Sequence, residues 1–183
     1  NIGNLLKEYL SSNGQKSDKM NPTIRSKIIF GVACTMKQLH NRKIIHNNLN
    51  KKTVFLDDKL EPKVGSFYLY DFMNNKDDIK KTQKQQQQNL NINTDFLFFE
   101  KCSNDVYDYG VLLYLMFKIR KPIDIQKMVE QDSERTSAIP HHYLQLIRRC
   151  LDPERYQRPS FDQITTLLKD DKYALEEFGM KTD

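Results

Sequence analysis

At 183 residues and 38% hydrophobic, the chain is long enough to bury one real core, and a single domain is the first expectation. Its net charge of +5 is modest and spread along the chain, with lysines mixed among aspartates between 76 and 84, which argues against the clustered basic stripe of a nucleic-acid binder. Cys34, Cys102 and Cys150 are too scattered for a disulfide framework or a zinc ribbon, and the longest apolar run, 111–117, is far short of the roughly 20 residues of a membrane span, so a cytoplasmic, intracellular setting away from the membrane is expected.

The chain opens on Asn1 rather than Met, with apolar residues almost at once, which suggests a piece of a longer protein. Asn21 followed by Pro22 is a helix opening, and Ile24, Ile28, Val32, Met36 and Leu39 then supply one apolar face of a long amphipathic helix. Two short β-rich runs, 53–56 and 63–67, flank an Asp57-Asp58 turn and predict a small hairpin. Residues 73–94 are poor in large apolar side chains and contain four successive glutamines, the composition of a mobile loop.

Beyond the loop, Ser103 is placed to cap a helix over 105–118 that is apolar nearly all round and should organise the core. Three further helices are expected near 123–131, over 142–151, and from the cap Ser160 to Leu168, with Pro140, Pro153 and Pro159 as breaks. The fold class is therefore mainly α, a helical bundle with one small hairpin. Periodicity alone names no function.

Four strings do. Ile44-Ile45-His46-Asn47-Asn48-Leu49-Asn50-Lys51-Lys52-Thr53 followed by a short strand resembles the protein-kinase catalytic loop, H-R-D-L-x-x-x-N. Lys63-Val64-Gly65-Ser66-Phe67-Tyr68 resembles the strand entering D-F-G. Asp105-Val106-Tyr107-Asp108-Tyr109-Gly110 is similar to the start of that family's central helix, and Arg149-Cys150-Leu151-Asp152-Pro153 through Arg158-Pro159 to its closing arginine motif, in the style of the tyrosine-kinase-like branch. The resemblance covers residues 1–170, with 73–100 as a degenerate activation-segment-like loop and 171–183 as a tail. It implies the C-terminal lobe of a kinase domain. The N-terminal lobe is absent from this chain, which carries neither a G-x-G-x-x-G loop nor a V-A-I-K-type lysine.

The resemblance also implies where chemistry would sit. Phosphoryl transfer needs a carboxylate to accept the substrate proton and oxygen ligands for magnesium. Asn48 occupies the general-base position, and a neutral amide accepts no proton near pH 7. Asn50 stands for the phosphate-contacting lysine, while Thr53 and Ser66 stand at the two metal-ligand positions. Tyr68 replaces the glycine of D-F-G and should stiffen that turn. No catalytic residue, ATP, magnesium or other metal is therefore expected.

The positions that hold the lobe together are filled as in the family: His46 under the catalytic loop, Phe67 as the packing residue, and Asp105 as the carboxylate fastening the loop. For Arg158 two outcomes are open. Either Glu100 reaches it across a shortened loop, since Asn93 stands at the usual glutamate spacing, or Arg158 finds another acceptor. His40 looks too isolated for a metal ligand, and the adjacent His141 and His142 point different ways on a helix. The implied role is a pseudokinase-like module for protein partners. The alternatives are a residual kinase or ATP binder using Asp57 or Asp71, and a degenerate remnant.

Overall fold

The computed structural model describes residues 4–10, 20–65, 94–117 and 139–173. In chain order these hold β1 (Asn4–Leu5), α1 (Leu6–Tyr9), α2 (Pro22–Asn41), β2 (Val54–Leu56), β3 (Pro62–Val64), α3 (Thr94–Phe117), α4 (His141–Cys150), a 3-10 turn at Arg155–Gln157, α5 (Phe161–Leu167) and a second 3-10 turn at Asp171–Tyr173. The architecture is mainly helical, with a small antiparallel sheet on one side.

Local signals start and stop α2. Asn21 Oδ1 accepts the Ile24 N–H at 2.8 Å and Pro22 fills the first turn, where a missing N–H costs nothing. At the other end Ile44 N–H reaches Leu39 O and Lys43 N–H reaches His40 O, both at 2.9 Å, with Lys43 at φ 59°. This is the Schellman arrangement, with a lysine where glycine is usual. Ile28, Ile29, Val32, Ala33 and Met36 form the buried face of the helix.

The hairpin forms in the expected place. Val54 pairs with Val64 and Leu56 with Pro62, and the buried residues alternate along both strands. Asp57 Oδ1 closes the turn by accepting the N–H groups of Lys59 and Glu61, each at 2.9 Å. A third strand, which the sequence pattern did not suggest, comes from the start of the chain: Asn4 pairs with Leu56 and Leu5 with Phe55. The sheet lies close against α2, because a Cβ on Gly31 would come 2.4 Å from Pro62 Cγ.

Helix α3 departs from expectation at its start. It begins at Thr94, so Ser103 is inside it and does not cap it, and residues 94–100, expected to belong to the loop, are helical. The Ser103 hydroxyl donates to Arg155 O at 2.9 Å instead. Its other half is buried as expected: 112–116 are all inaccessible, Tyr109 donates to Ile29 O at 3.0 Å, and Gly110 lets α4 approach until a Cβ would meet Cys150 Cβ at 2.7 Å. Burial on this scale contributes about 1.5–3 kcal/mol for each large apolar side chain. Helices α4 and α5 fall at the expected places, and α5 opens with a capping box between Ser160 and Gln163. The helix expected at 123–131, the glutamine tract, Asn93, and the residues Ser66, Phe67, Tyr68 and Asp71 lie outside the described residues.

Candidate functional site

The loop that joins α2 to β2 is fastened by one carboxylate. Asp105, fully buried on α3, accepts His46 N–H on Oδ2 at 2.9 Å and Asn47 N–H on Oδ1 at 2.7 Å. His40, read from sequence as isolated, belongs to the same cluster, its Nε2 lying 2.9 Å from Asp105 Oδ2. Asn47 takes φ 59°, a conformation asparagine tolerates better than most side chains, and so turns its N–H toward the carboxylate.

His46 is completely buried beneath this turn. Its Nε2 lies 3.1 Å from Gly65 O and its Nδ1 accepts Asn48 N–H at 3.3 Å, so the pattern selects the neutral tautomer with hydrogen on Nε2. Burial pushes its pKa below the usual histidine value of 6.5, against the smaller raising effects of Gly65 O and Asp105.

The polar side chains that follow bond to one another. Asn50 Nδ2 donates to Asn48 Oδ1 at 2.8 Å and to Asn48 O at 2.9 Å, while Asn50 Oδ1 accepts Lys52 N–H at 2.8 Å. Thr53 Oγ1 accepts Asn50 N–H at 3.0 Å and is close enough to donate to Asn48 O or Asn50 O, at 3.1 and 3.0 Å. Each of these side-chain oxygens thus already accepts a hydrogen bond within the loop. The described segment 46–53 holds no carboxylate of its own, and among the described residues no three His, Cys, Asp or Glu side chains cluster as a metal site. Asp57, the alternative carboxylate, is engaged in the hairpin turn and has Lys63 Nζ 3.6 Å away.

Of the two outcomes open for Arg158, the structure selects the second. Glu100 pairs with Arg155 at 2.8 Å, and Arg158 donates from Nε to Asp152 O at 2.8 Å and from one terminal nitrogen to Ser103 O at 3.0 Å. Its guanidinium also sits 4.9 Å from the centre of the Tyr107 ring, and burial lowers its pKa. The cysteines offer no activated nucleophile: burial raises the thiol of Cys34 and pushes Cys102 and Cys150 up to about 12.

The sequence reading missed a cavity of about 530 Å³ on the α3 side of the loop, lined among others by His40, Lys43, Phe98, Phe99, Tyr156 and Arg158. These residues come from three separate stretches of chain, so no local pattern announces the cavity.

Comparison with known proteins agrees with this geometry. The family model for protein tyrosine and serine/threonine kinases matches residues 1–168, and the chain belongs to that family. A probable serine/threonine-protein kinase of Dictyostelium discoideum is 28% identical over 160 residues, covering 81% of this chain and 17% of the relative. An Arabidopsis thaliana protein named "Probably inactive leucine-rich repeat receptor-like protein kinase" is 28% identical over 164 residues, 80% of this chain and 15% of the relative. A probable receptor-like protein kinase of Arabidopsis thaliana is 24% identical over 206 residues, 96% of this chain and 42% of the relative. The chain thus spans less than half the length of each. Among the described residues no helix is long and apolar enough to cross a membrane.

Proposed function

We propose that this lobe does not transfer phosphate and serves as a pseudokinase-like interaction or regulatory module within a longer signalling protein. The observation that carries this reading is the state of Asn48. The position matched to the general base holds an amide whose oxygen is taken by Asn50 Nδ2 at 2.8 Å, so it offers no proton acceptor. Asn50 and Thr53 reinforce the point: the position matched to the phosphate-contacting lysine holds an uncharged amide, and the metal-ligand position holds a hydroxyl, both already engaged in the loop. The residues of this segment do not fit magnesium-bound ATP. The relatives include proteins named as kinases and one named as probably inactive, so family membership by itself does not assign activity.

The test is a thermal-shift titration with ATP and magnesium, together with a phosphotransfer assay, on the longest natural chain containing this segment. A double variant, Asn48→Asp with Ser66→Asp, is run beside it. Ligand that binds only the folded state raises its melting temperature. The natural protein is expected to show neither a shift nor transfer, and the repaired protein to show a shift. Stabilisation or transfer by the natural protein would overturn the proposal.

A further inference from the structure

We propose that the cavity between the end of α2, the first turns of α3 and the 155–160 stretch docks a short acidic segment of a partner protein through apolar anchor side chains. The proposal rests on the reading of the lobe as an interaction module and names the site and the chemistry of its partner.

The apolar half of the site is already presented to solvent. Phe99 and Tyr156 line the cavity and are 45% and 67% exposed, and Phe96, 62% exposed, stands one turn before Phe99 on the same helix. Large aromatic side chains gathered at the mouth of a cavity mark a binding surface more often than an idle one.

The polar half is cationic. Lys43 Nζ lies 4.6 Å from the centre of the Phe98 ring, carried there by a residue in the left-handed conformation, where glycine would be easier to accommodate. Arg158 also lines the cavity. Two of its five N–H groups are used on Asp152 O and Ser103 O, which hold the guanidinium in place while others can still meet an anion. Among the described residues lining the cavity none is acidic, the nearby Glu100 is engaged by Arg155, and Glu154 at the rim takes the hydrogen bond of the Tyr156 hydroxyl.

This asymmetry decides the partner. A second copy docking through the same face would bring two like-charged patches together, a contact that opposes association. An acidic segment with one or two apolar anchors satisfies both halves. Nucleic acid would call for a longer basic track than two cations around one cavity.

The experiment is fluorescence anisotropy on the full chain without nucleotide. The probe is a labelled peptide with two phenylalanines one helical turn apart among glutamates. Its controls replace glutamate by lysine or phenylalanine by alanine, and anionic phospholipid vesicles form a separate arm. The acidic peptide should bind saturably and weaken as salt rises, and both control peptides should bind at least about tenfold more weakly. Lys43→Gly should lower affinity by about tenfold without lowering the melting temperature, since glycine suits the left-handed position. Tyr156→Ala should also weaken binding.

Absence of saturable binding would overturn the proposal, as would equal binding of the lysine peptide or binding that survives both variants. Self-association that masks the site, or vesicle binding with the same dependence on Lys43 while the peptide is ignored, would replace it with a different occupant. A chain that transfers phosphate and still binds the peptide would sink the non-catalytic reading and leave this site standing. A chain inert to ATP that ignores the peptide would do the reverse.

Discussion

Two adjoining pieces of one loop are held in opposite ways. Residues 46 and 47 are fastened from outside, by a fully buried carboxylate on a helix 58 residues further along the chain. The side chains of residues 48–53 are held from within, by neutral groups that bond to their neighbours at separations of two to five residues, while Lys7 N–H on Lys51 O and Gly65 N–H on Thr53 O, at 2.9 and 2.8 Å, tie the backbone to other elements. The first piece depends on tertiary structure and on charge. The second needs no charge on its side chains, so the positions matched to phosphate chemistry can be occupied by amides and a hydroxyl while the loop keeps its shape.

The sharpest way to break this contrast is to make the same chemical exchange in both directions. Asp105→Asn retains the size of the side chain but replaces one acceptor by an NH₂ facing a buried backbone N–H. It should cost about 3 kcal/mol, read as a lowered urea midpoint, because charge-assisted bonds are lost and one donor is left unpaired. Asn48→Asp, by contrast, still presents an oxygen to Asn50 Nδ2 and should change stability by less than about 1 kcal/mol. Equal costs for the two substitutions would mean that the loop is a single cooperative unit and that the contrast is false.

A subtler effect comes from His46, which belongs to the externally fastened piece. Its folded-state pKa is held below the ordinary 6.5, chiefly by burial. Between that depressed value and 6.5 the unfolded chain binds more protons than the folded one, so folding stability rises with pH there. Melting temperature should therefore fall as pH drops below 6.5 and level off below the folded-state pKa. Burial also lowers the His142 pKa, so the His46 share is read from the difference between the natural protein and His46→Gln. A pH profile unchanged by that substitution would show that His46 is not held neutral.

The two halves of α3 carry the same lesson into the partner face. Its later turns are buried and its first turns show Phe96 and Phe99 to solvent, so one helix serves the core at one end and the proposed docking cavity at the other. Sequence periodicity reads the buried half well, because apolar residues all round a helix can only mean burial. The exposed half reads as loop from the sequence, since Ser103 looks like a cap and a run of aromatics does not announce a helix. Propensity is a weak guide where contacts such as Glu100 with Arg155 and Arg158 with Ser103 O hold the segment in place.

What the amino-acid sequence determined by itself was local or ordered along the chain: the Asn21-Pro22 opening of α2, the Ser160 cap of α5, the hairpin around Asp57, and the succession of kinase motifs that led to Asn48, Asn50 and Thr53. Each rests on groups a few residues apart, whose geometry the backbone itself dictates. What only the tertiary structure decided was pairing between distant groups: Asn4 with Leu56 in a third strand, His40 with Asp105, Glu100 with Arg155, and the gathering of Lys43, Phe99 and Tyr156 around one cavity. Side chains of the same type compete for such partners across the whole chain, and the winner is set by where packing brings the elements together.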